Sequence, residues 1–243
     1  MKKQKKRSDN MIEITTDLLL NGQMKLMQPA NGYRVSIDPF IVAGLLPLSS
    51  CQNMLDVGCG VGTISLLALN KNPTIHVTAI DVDKNMCEIC LHNSRENHKE
   101  INVINDDISM HSFDINSFDL VVTNPPYYNK NSHRISDGKL FANFETISLE
   151  TWIISSLKSL KNGGFFAIIH VASRISEIMR ILNNRVGGLR LYPIYTKADS
   201  PAKRIVIIGK KGGKGETQIM PEITVYNDDG SYTDVIKIVW SNL

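Results

Sequence analysis

Residues 54–62 read MLDVGCGVG, a short apolar run that leads into a turn with three glycines. A run of this length is typical of a buried strand, and the next residues, TISLLAL, continue as a helix. Glycines allow a backbone to turn tightly and to approach a ligand at the N-terminus of such a helix. The spacing of Gly58, Gly60 and Gly62 differs from the G-x-G-x-x-G of dinucleotide-binding folds. The segment predicts a strand–turn–helix unit with a ligand site at the strand end.

The next predicted strand supplies a carboxylate for the same ligand. Residues 75–80, IHVTAI, are apolar and β-branched, and Asp81 follows them directly. A carboxylate about twenty residues after a glycine turn is placed to accept both hydroxyls of a ribose. Glycine turn and acidic strand end, in this order, therefore indicate a nucleoside-containing ligand.

A second motif follows a later apolar run, residues 118–123, and consists of Asn124, Pro125, Pro126 and Tyr127. An amine attached to a base or an acyl group is a poor nucleophile, because its lone pair is delocalised. Asn124 offers a side-chain oxygen and Pro125 a carbonyl to its N–H bonds, and prolines add no competing N–H. Tyr127 can stack on a flat target. The motif predicts methylation of an amine, and a Pro-Pro turn at a strand end is the structural alternative.

Strand and helix patterns alternate along most of the chain, which favours an α/β fold with a mostly parallel sheet and helices on both faces. The predicted strands are 53–57, 75–80, 101–105, 118–123 and 164–170, closed by an antiparallel pair, 189–195 and 204–209. The predicted helices are 62–70, 84–98, 147–161 and 173–184, with Asn162-Gly163-Gly164 as a helix stop. The first and fourth strands should be neighbours, which brings the glycine turn and Asn124 to one crevice.

Three regions are expected along the chain. Residues 1–10 form a disordered basic tail, residues 11–50 an N-terminal extension, and residues 51–243 the main domain. The extension contains a β-hairpin around Asn21-Gly22, a strong turn signal between alternating apolar residues, and a helix that starts near Pro39.

Taken together, the motifs at 54–62, 81 and 124–127 resemble those of class I S-adenosylmethionine-dependent methyltransferases that modify amino groups. The resemblance implies a Rossmann-like, seven-stranded fold with the N-terminal hairpin as an addition, and S-adenosylmethionine as cofactor. It implies as catalytic residues Asn124, Pro125, Pro126 and Tyr127. It implies as cofactor-binding residues Ser36, Asp38, Asp56, Gly58, Cys59, Gly60, Asp81, Asp107 and Asn124.

Two of these assignments have alternatives. Asp107 is expected at the adenine amine, but Asp106 is its neighbour, and Asp107 could also be a helix N-cap or a solvated loop acid. Asp38 is expected near the cofactor, and it could equally be the N-cap of a helix that begins at Pro39.

Within that group the chain resembles the bacterial tRNA(Val) adenine-N6 methyltransferases over nearly its whole length. The likeness is carried by residues 17–26, 28–29, 32–34 and 36–40, and by NPPYY at 124–128. It implies a tRNA substrate, modified at the N6 amine of the adenosine just 3′ of the anticodon. Relatives often have Ala-Arg-His-Glu where residues 142–145 read ANFE, so a phosphate contact from this loop is in doubt.

Other functions share parts of this pattern. The side-chain amide nitrogen of glutamine is a poor nucleophile for the same reason, so a release-factor glutamine methyltransferase would use the same motif. Such enzymes carry a helical domain in front of the core, whereas a hairpin is expected here. DNA adenine methylation is disfavoured because little sequence remains for reading a specific site. A non-catalytic nucleotide- or RNA-binding module of the same fold has no reason to keep Asn124 and Tyr127.

Composition favours a cytoplasmic, monomeric, metal-free protein. The 243 residues are 42% hydrophobic, and neither a membrane-spanning run nor a signal peptide is evident. The four cysteines include Cys87 and Cys90, a C-x-x-C pair without the further ligands that a zinc site needs.

Net charge is +3, with positive residues concentrated at both ends of the chain. Lys2, Lys3, Lys5, Lys6 and Arg7 form the first cluster. The second is Lys197, Lys203, Arg204, Lys210, Lys211 and Lys214. Both predict salt-sensitive contacts with a polyanion such as tRNA, the alternatives being a solubilising tail and a solvated hairpin loop.

Overall fold

The computed structural model describes residues 13–31, 34–127, 147–241 and 243. Several sequence predictions lie outside these residues. They concern the basic tail, Gly32, Tyr33, Tyr128 and the loop at 142–145.

Helices and strands alternate as the sequence predicts. The strands are β1 Ile14–Leu19, β2 Met24–Pro29, β3 Asn53–Val57, β4 His76–Asp81, β5 Ile101–Asn105, β6 Phe118–Thr123, β7 Leu160–Val171, β8 Val186–Tyr195, β9 Arg204–Lys211, β10 Gln218–Ile219 and β11 Ile223–Thr224. The helices are α1 Asp38–Leu45, α2 Thr63–Lys71, α3 Lys84–Glu96, α4 Leu149–Lys158, α5 Ile175–Leu182 and α6 Asp234–Ser241.

The main sheet has the strand order β10-β8-β9-β7-β6-β3-β4-β5, with β11 also paired to β8. Strands β5, β4, β3, β6 and β7 are parallel, and β9 is antiparallel to both β7 and β8. The seven predicted strands are confirmed. The structure adds β10 and β11, each of two residues, which are too short to give a periodic signal in the sequence.

Strand pairing places the sequence motifs at one edge of this sheet. Val57 at the end of β3 pairs with Thr123 at the end of β6, and on its other side with Ile80. The next residues along the three strands are Gly58 after β3, Asn124 after β6 and Asp81, the last residue of β4. The predicted adjacency of glycine turn and Asn124 is confirmed.

Two apolar cores lie on opposite faces of the sheet, because successive strand residues point to opposite sides. Met54 belongs to one core and Leu55 to the other. The first core takes side chains from α1, α2, α3 and α6, and the second from α4 and α5. The predicted coverage of both faces is confirmed.

The predicted hairpin is present. Strands β1 and β2 pair antiparallel around residues 20–22, where Asn21 and Gly22 have positive φ angles of 56° and 87°. The hairpin contributes Met24 and Leu26 to the first core. It therefore packs on the main sheet domain through buried apolar side chains.

Helix α6 was not predicted from the sequence. Its residues, DVIKIVWS, are rich in β-branched types, which favour strands when read locally. In the structure Ile236 and Val239 are buried in the first core, and α6 crosses α1 at Gly44. A Cβ on Gly44 would lie 2.5 Å from the Val239 carbonyl oxygen, so glycine permits this close approach.

The predicted helix stop at Asn162-Gly163-Gly164 was wrong in position. Helix α4 ends at Lys158, and β7 already begins at Leu160, so these three residues lie inside the strand. Gly163 has a φ angle of +79°, and the pairing of β6 with β7 shifts register in this region. The glycines accommodate a strand irregularity, as glycines inside strands often do.

Candidate active site

The turn after β3 is built from glycines in the left-handed region. Gly58, Gly60 and Gly62 have φ angles of +72°, +53° and +86°, which other residues adopt only with strain. The amides of Gly58 and Cys59 both donate to the Ile80 carbonyl, at 2.8 and 3.2 Å. The turn is thereby held against the end of β4.

Asp81 anchors the same turn through its side chain. Its Oδ2 accepts a 2.8 Å hydrogen bond from the Gly60 amide, and its Oδ1 accepts one of 2.9 Å from the Asp83 amide. Burial raises the pKa of Asp81, and these two amide hydrogen bonds oppose that rise. A ribose contact by this carboxylate stays a prediction.

A small cleft lies beside Asp81. Val82, which is 57% exposed, lines it together with Ile108 and Trp152. Asp81, Asp106 and Asp107 contribute acidic residues to the same lining. The cleft therefore combines flat apolar contact with hydrogen-bond acceptors.

The two acids after β5 have different surroundings. Asp106 Oδ2 lies 2.8 Å from Nδ1 of His111. Asp107 Oδ1 accepts hydrogen bonds from the amide and the hydroxyl of Ser109, at 2.8 and 2.7 Å. Asp107 thus closes a local turn and also lines the cleft. Its contact with an adenine amine stays a prediction.

Trp152 is a cleft residue that the sequence analysis missed. Its indole nitrogen donates a 2.9 Å hydrogen bond to the Thr123 hydroxyl, which in turn donates to the Val57 carbonyl at 2.8 Å. A Cβ on Gly58 would lie 2.7 Å from the Trp152 ring. A tryptophan at helical spacing is indistinguishable from an ordinary core residue, so the sequence carried no signal for this role.

Asp56 lies in β3 and is fully buried. Its Oδ2 accepts a 2.7 Å hydrogen bond from the Ser65 hydroxyl, while Oδ1 has no partner among the described residues. Burial raises the pKa of Asp56 to about 7, against the opposing hydrogen bonds from Ser65. The structure therefore places an unsatisfied acceptor directly behind the glycine turn.

Just after the end of β6, the hydroxyl of Tyr127 contacts two side-chain oxygens. The Tyr127 hydroxyl oxygen lies 2.6 Å from Oδ1 of Asn124 and 2.7 Å from Oδ2 of Asp38. Pro125 is buried, whereas Asn124 and Pro126 are partly exposed. Asn124 is therefore accessible at the edge where the glycine turn lies.

The Tyr127 ring is fixed by two further side chains. The Arg204 guanidinium lies 4.6 Å from the ring centroid, and the His170 ring is 5.1 Å away at an interplanar angle of 63°. His170 is fully buried, and burial, followed by the charge of Arg174, lowers the pKa of His170 to about 4. Its Nδ1 accepts a hydrogen bond from the Val171 amide, so the neutral ring carries its proton on Nε2.

Asp38 does not have the capping role that was its alternative. Helix α1 begins at Asp38, and its N-cap residue, Ile37, makes no side-chain capping bond. The Asp38 carboxylate instead accepts from Tyr127 and, at 3.0 Å, from Nε of Arg204. The N-cap assignment is wrong, and a cofactor contact by Asp38 stays a prediction.

Ser36 lies apart from the cleft. It is exposed, and its hydroxyl accepts from the Asp38 amide at 3.3 Å. It borders a groove of about 730 Å³ between the hairpin and α6, together with Phe40 and Trp240. A cofactor contact by Ser36 stays a prediction.

The late basic cluster is divided by the fold. Arg204 and Lys211 stand at opposite ends of β9. Arg204 is paired with Asp38, and the Lys211 ammonium donates to the carbonyls of Leu157 and Leu160, both at 2.7 Å. These two side chains support the fold. A contact of the other lysines with a polyanion stays a prediction.

The described part of the chain shows neither a metal centre nor a membrane-spanning helix. There, no group of three or more His, Cys, Asp or Glu side chains is arranged to hold a metal ion. Cys87 and Cys90 are both buried within α3. None of the helices in the described ranges has both the length and the apolar character needed to cross a bilayer.

Sequence comparison identifies relatives of this chain. A family described as "Methyltransferase small domain" matches residues 40–193. A tRNA1(Val) (adenine(37)-N6)-methyltransferase of a Flavobacteriaceae bacterium is 28% identical over 178 residues, covering 72% of this chain and 76% of the relative. The protein of the same name from Actinobacillus pleuropneumoniae serotype 7 is 24% identical over 211 residues, covering 84% and 87%.

Solved structures share the fold at lower identity. A predicted O-methyltransferase from Agrobacterium tumefaciens superposes with a TM-score of 0.70 at 19% identity, covering 84% of this chain and 96% of that one. A tRNA (m1A58) methyltransferase from Aquifex aeolicus gives a TM-score of 0.55 at 13% identity, covering 77% and 73%. The predicted class I methyltransferase fold is confirmed. With the family match over more than half of its length, the chain belongs to the methyltransferase small domain family.

Proposed function

We propose that this protein transfers a methyl group from S-adenosylmethionine to the N6 amine of an adenine in tRNA, at the adenosine 3′ of the anticodon. The observation that carries the proposal is the pairing of Val57 with Thr123. It makes Gly58 and Asn124 the next residues on adjacent strands, about 5 Å apart. Cofactor turn and amine acceptor therefore share one edge. The relatives named as tRNA adenine-N6 methyltransferases support the choice of substrate.

S-adenosylmethionine fits the residues around the cleft. Val82, Ile108 and Trp152 offer flat apolar contact to an adenine, and Asp107 an acceptor for its amine. Asp81 offers a carboxylate to the ribose hydroxyls. When bound, this cofactor supplies an electrophilic methyl carbon on a positively charged sulfur.

The target amine is activated by acceptors alone. The Asn124 side-chain oxygen and the Pro125 carbonyl accept its two N–H groups, which localises the nitrogen lone pair for attack. Neither proline brings an N–H that would compete. Tyr127, held by Asp38 and Arg204, keeps the base in place. No strong base is required, because the amine proton becomes acidic only as the new bond forms.

The substrate must present its base outside a stack. An adenine in a single-stranded anticodon loop swings out at a cost of a few kcal/mol at most, which is less than in a duplex. Lysines of the late cluster and the basic N-terminal residues contact phosphate in this proposal. These contacts position the loop, and the pocket at Asn124 selects the amine.

Incubation with labelled cofactor and unmodified tRNA, followed by nucleoside analysis, tests the proposal. We expect N6-methyladenosine at one position in wild-type reactions. Asn124→Ala should reduce the rate at least about a hundredfold, since loss of a preorganised acceptor costs several kcal/mol in the transition state, with the cofactor dissociation constant nearly unchanged. Asn85→Ala, an exposed change on α3, is the matched control.

A peptide release factor is offered in the same assay. Methylation of its glutamine without methylation of tRNA would replace the proposed substrate while keeping the chemistry. Absence of transfer to either, with tight cofactor binding, would favour a non-catalytic module.

A further inference from the structure

We propose that Asp38 and Arg204 are positioning residues that set the orientation of the Asn124 side-chain amide through the Tyr127 hydroxyl. This inference rests on the proposed function, since it concerns the acceptor that activates the target amine. It gives Asp38 a role different from the predicted cofactor contact. It also gives a role to Arg204, which the sequence presents only as one of several late basic residues.

The first step is a count of protons. The Tyr127 hydroxyl oxygen is 2.7 Å from Oδ2 of Asp38 and 2.6 Å from Oδ1 of Asn124. Both oxygens are acceptors, and a phenol has one proton to donate. A linear hydrogen bond can therefore form to Asp38 or to Asn124, but not to both.

The second step decides which acceptor receives the proton. Asp38 is 4% exposed, and its carboxylate forms an ion pair of 3.0 Å with the Arg204 guanidinium. A hydrogen bond to a charged carboxylate is roughly twice as strong as one to a neutral amide oxygen. The weak dielectric screening of a buried site increases that difference. The Tyr127 hydroxyl therefore donates its hydrogen bond to Asp38.

The third step concerns the amide itself. With its proton directed to Asp38, the phenol oxygen, which also accepts from Arg204, presents a lone pair to Asn124. The 2.6 Å separation is too short for two acceptors that face each other. The oxygen and nitrogen ends of a carboxamide have nearly the same shape, and hydrogen bonding decides which end faces a neighbour. We therefore infer that the Asn124 amide lies with its NH₂ toward Tyr127, which is the end-for-end reverse of the placement that puts Oδ1 2.6 Å from the hydroxyl. Its oxygen then faces the target amine.

The reverse arrangement would weaken catalysis. If Tyr127 donated to Asn124, the amide oxygen would share its electron density with a competing donor, and its NH₂ would meet the target amine. Two donors facing each other cannot localise the amine lone pair. The ion pair between Asp38 and Arg204 excludes this arrangement, so both residues act on the reaction without touching the substrate.

A double-mutant cycle tests whether Asp38 acts on Asn124 through Tyr127. Asp38→Asn should lower kcat for tRNA methylation about tenfold or more, with the KM for the cofactor within about twofold of wild type. Tyr127→Phe should lower kcat similarly. In the Tyr127→Phe background, Asp38→Asn should change kcat by less than about twofold, because residues that act through one another are not additive. Asp17→Asn is the matched control, because it neutralises a hairpin carboxylate that is paired with Arg34.

Additive losses, or a cofactor KM that rises with Asp38→Asn in both backgrounds, would overturn the inference and identify Asp38 as a cofactor contact. If the wild-type protein methylates no RNA, the proposed function is wrong. The effect of Asp38 and Tyr127 on the Asn124 amide can then still be tested by a measurement that needs no substrate.

That measurement is the side-chain amide NMR signal of Asn124, assigned by its loss in Asn124→Ala. We expect both amide proton shifts to move in Asp38→Asn and in Tyr127→Phe, and to stay in place in Asp17→Asn. Tyr127→Phe retains the Asp38–Arg204 ion pair, so it tests the amide even if Asp38→Asn does not fold. Unchanged Asn124 signals in Tyr127→Phe would contradict the proposal.

Discussion

Asn93 on α3 holds both main-chain polar groups of Met27 on β2. Its Oδ1 accepts from the Met27 amide at 2.7 Å, and its Nδ2 donates to the Met27 carbonyl at 2.9 Å. The same Nδ2 donates to the carbonyl of Val61, in the glycine turn, at 3.0 Å. One buried amide thus joins the N-terminal hairpin to the turn that we assign to the cofactor.

Asn93→Ala should therefore destabilise the protein by roughly 2–4 kcal/mol, because it leaves several buried main-chain groups without partners. It should also weaken cofactor binding, since the turn loses its link to the hairpin. Urea unfolding and calorimetric titration measure the two effects.

Asn97→Ala is the matched control for that change. Asn97, the C-cap residue that follows α3, makes the same pair of bonds with Lys25, but these bonds are exposed to solvent. Water can replace those bonds, so we expect a loss of about 1 kcal/mol or less and unchanged cofactor affinity. Equal effects of the two substitutions would contradict the proposed link.

Gly58→Ala should impair the cleft more than its backbone angle alone requires. Gly58 and Gly163 both have strongly positive φ, but a Cβ at Gly58 would lie 2.7 Å from Trp152, while at Gly163 nothing lies within 4 Å. Gly163→Ala should cost about 1–2 kcal/mol from conformation. Gly58→Ala should cost about 1–3 kcal/mol more and reduce cofactor affinity. Thermal unfolding and cofactor titration of the two variants provide the comparison.

The buried carboxyl of Asp56 predicts a pH dependence of stability. Its pKa of about 7 in the folded state exceeds the usual 3.8, so the folded protein holds this proton more tightly than the unfolded chain. The contribution of Asp56 to stability is therefore greatest below about pH 4, declines as the pH rises to about 7, and is constant above that.

Asp56→Asn removes this decline. The difference in unfolding free energy between variant and wild type should move in favour of the variant by several kcal/mol from about pH 4 to about pH 8, since one pKa unit corresponds to about 1.4 kcal/mol. Denaturant titrations at several pH values measure it, and other carboxyl groups cancel in the difference. A difference that does not vary with pH would show that Asp56 titrates normally.

Local patterns were sufficient for most of the fold. The hairpin at Asn21 and Gly22, the parallel strands and the helices between them each follow from a turn signal or an apolar period within a few residues. Helix α6 and strands β10 and β11 did not follow. Their conformation depends on packing against α1 and pairing with β8, which local sequence does not encode.

The residues of the candidate site also fall into two groups, those that the sequence predicts and those that it does not. The glycine turn, Asp81 and Asn124 belong to contiguous motifs and could be predicted. Arg204 reaches Asp38 across 166 residues of sequence, and the only sign of it was a general excess of positive charge. Such a contact exists only once the sheet is assembled, and a single sequence has no pattern that reports it.

The basic N-terminal residues predict a salt-dependent contribution to RNA affinity. Replacing Lys2, Lys3, Lys5, Lys6 and Arg7 with glutamine at constant length should weaken tRNA binding at low salt and flatten the dependence of log K on log salt concentration. Lys237→Gln, which removes one exposed charge on α6, is a control for net charge. If log K depends on log salt concentration with the same slope in wild type and variant, the tail does not contribute to RNA binding.

The crossing of α1 and α6 at Gly44 has a consequence for how the chain assembles. Part of α1 is covered by α6, although the whole main sheet lies between these two helices in the sequence. Contacts between segments so far apart raise the contact order, which slows folding. During synthesis this apolar surface of α1 therefore stays uncovered until α6 has been made.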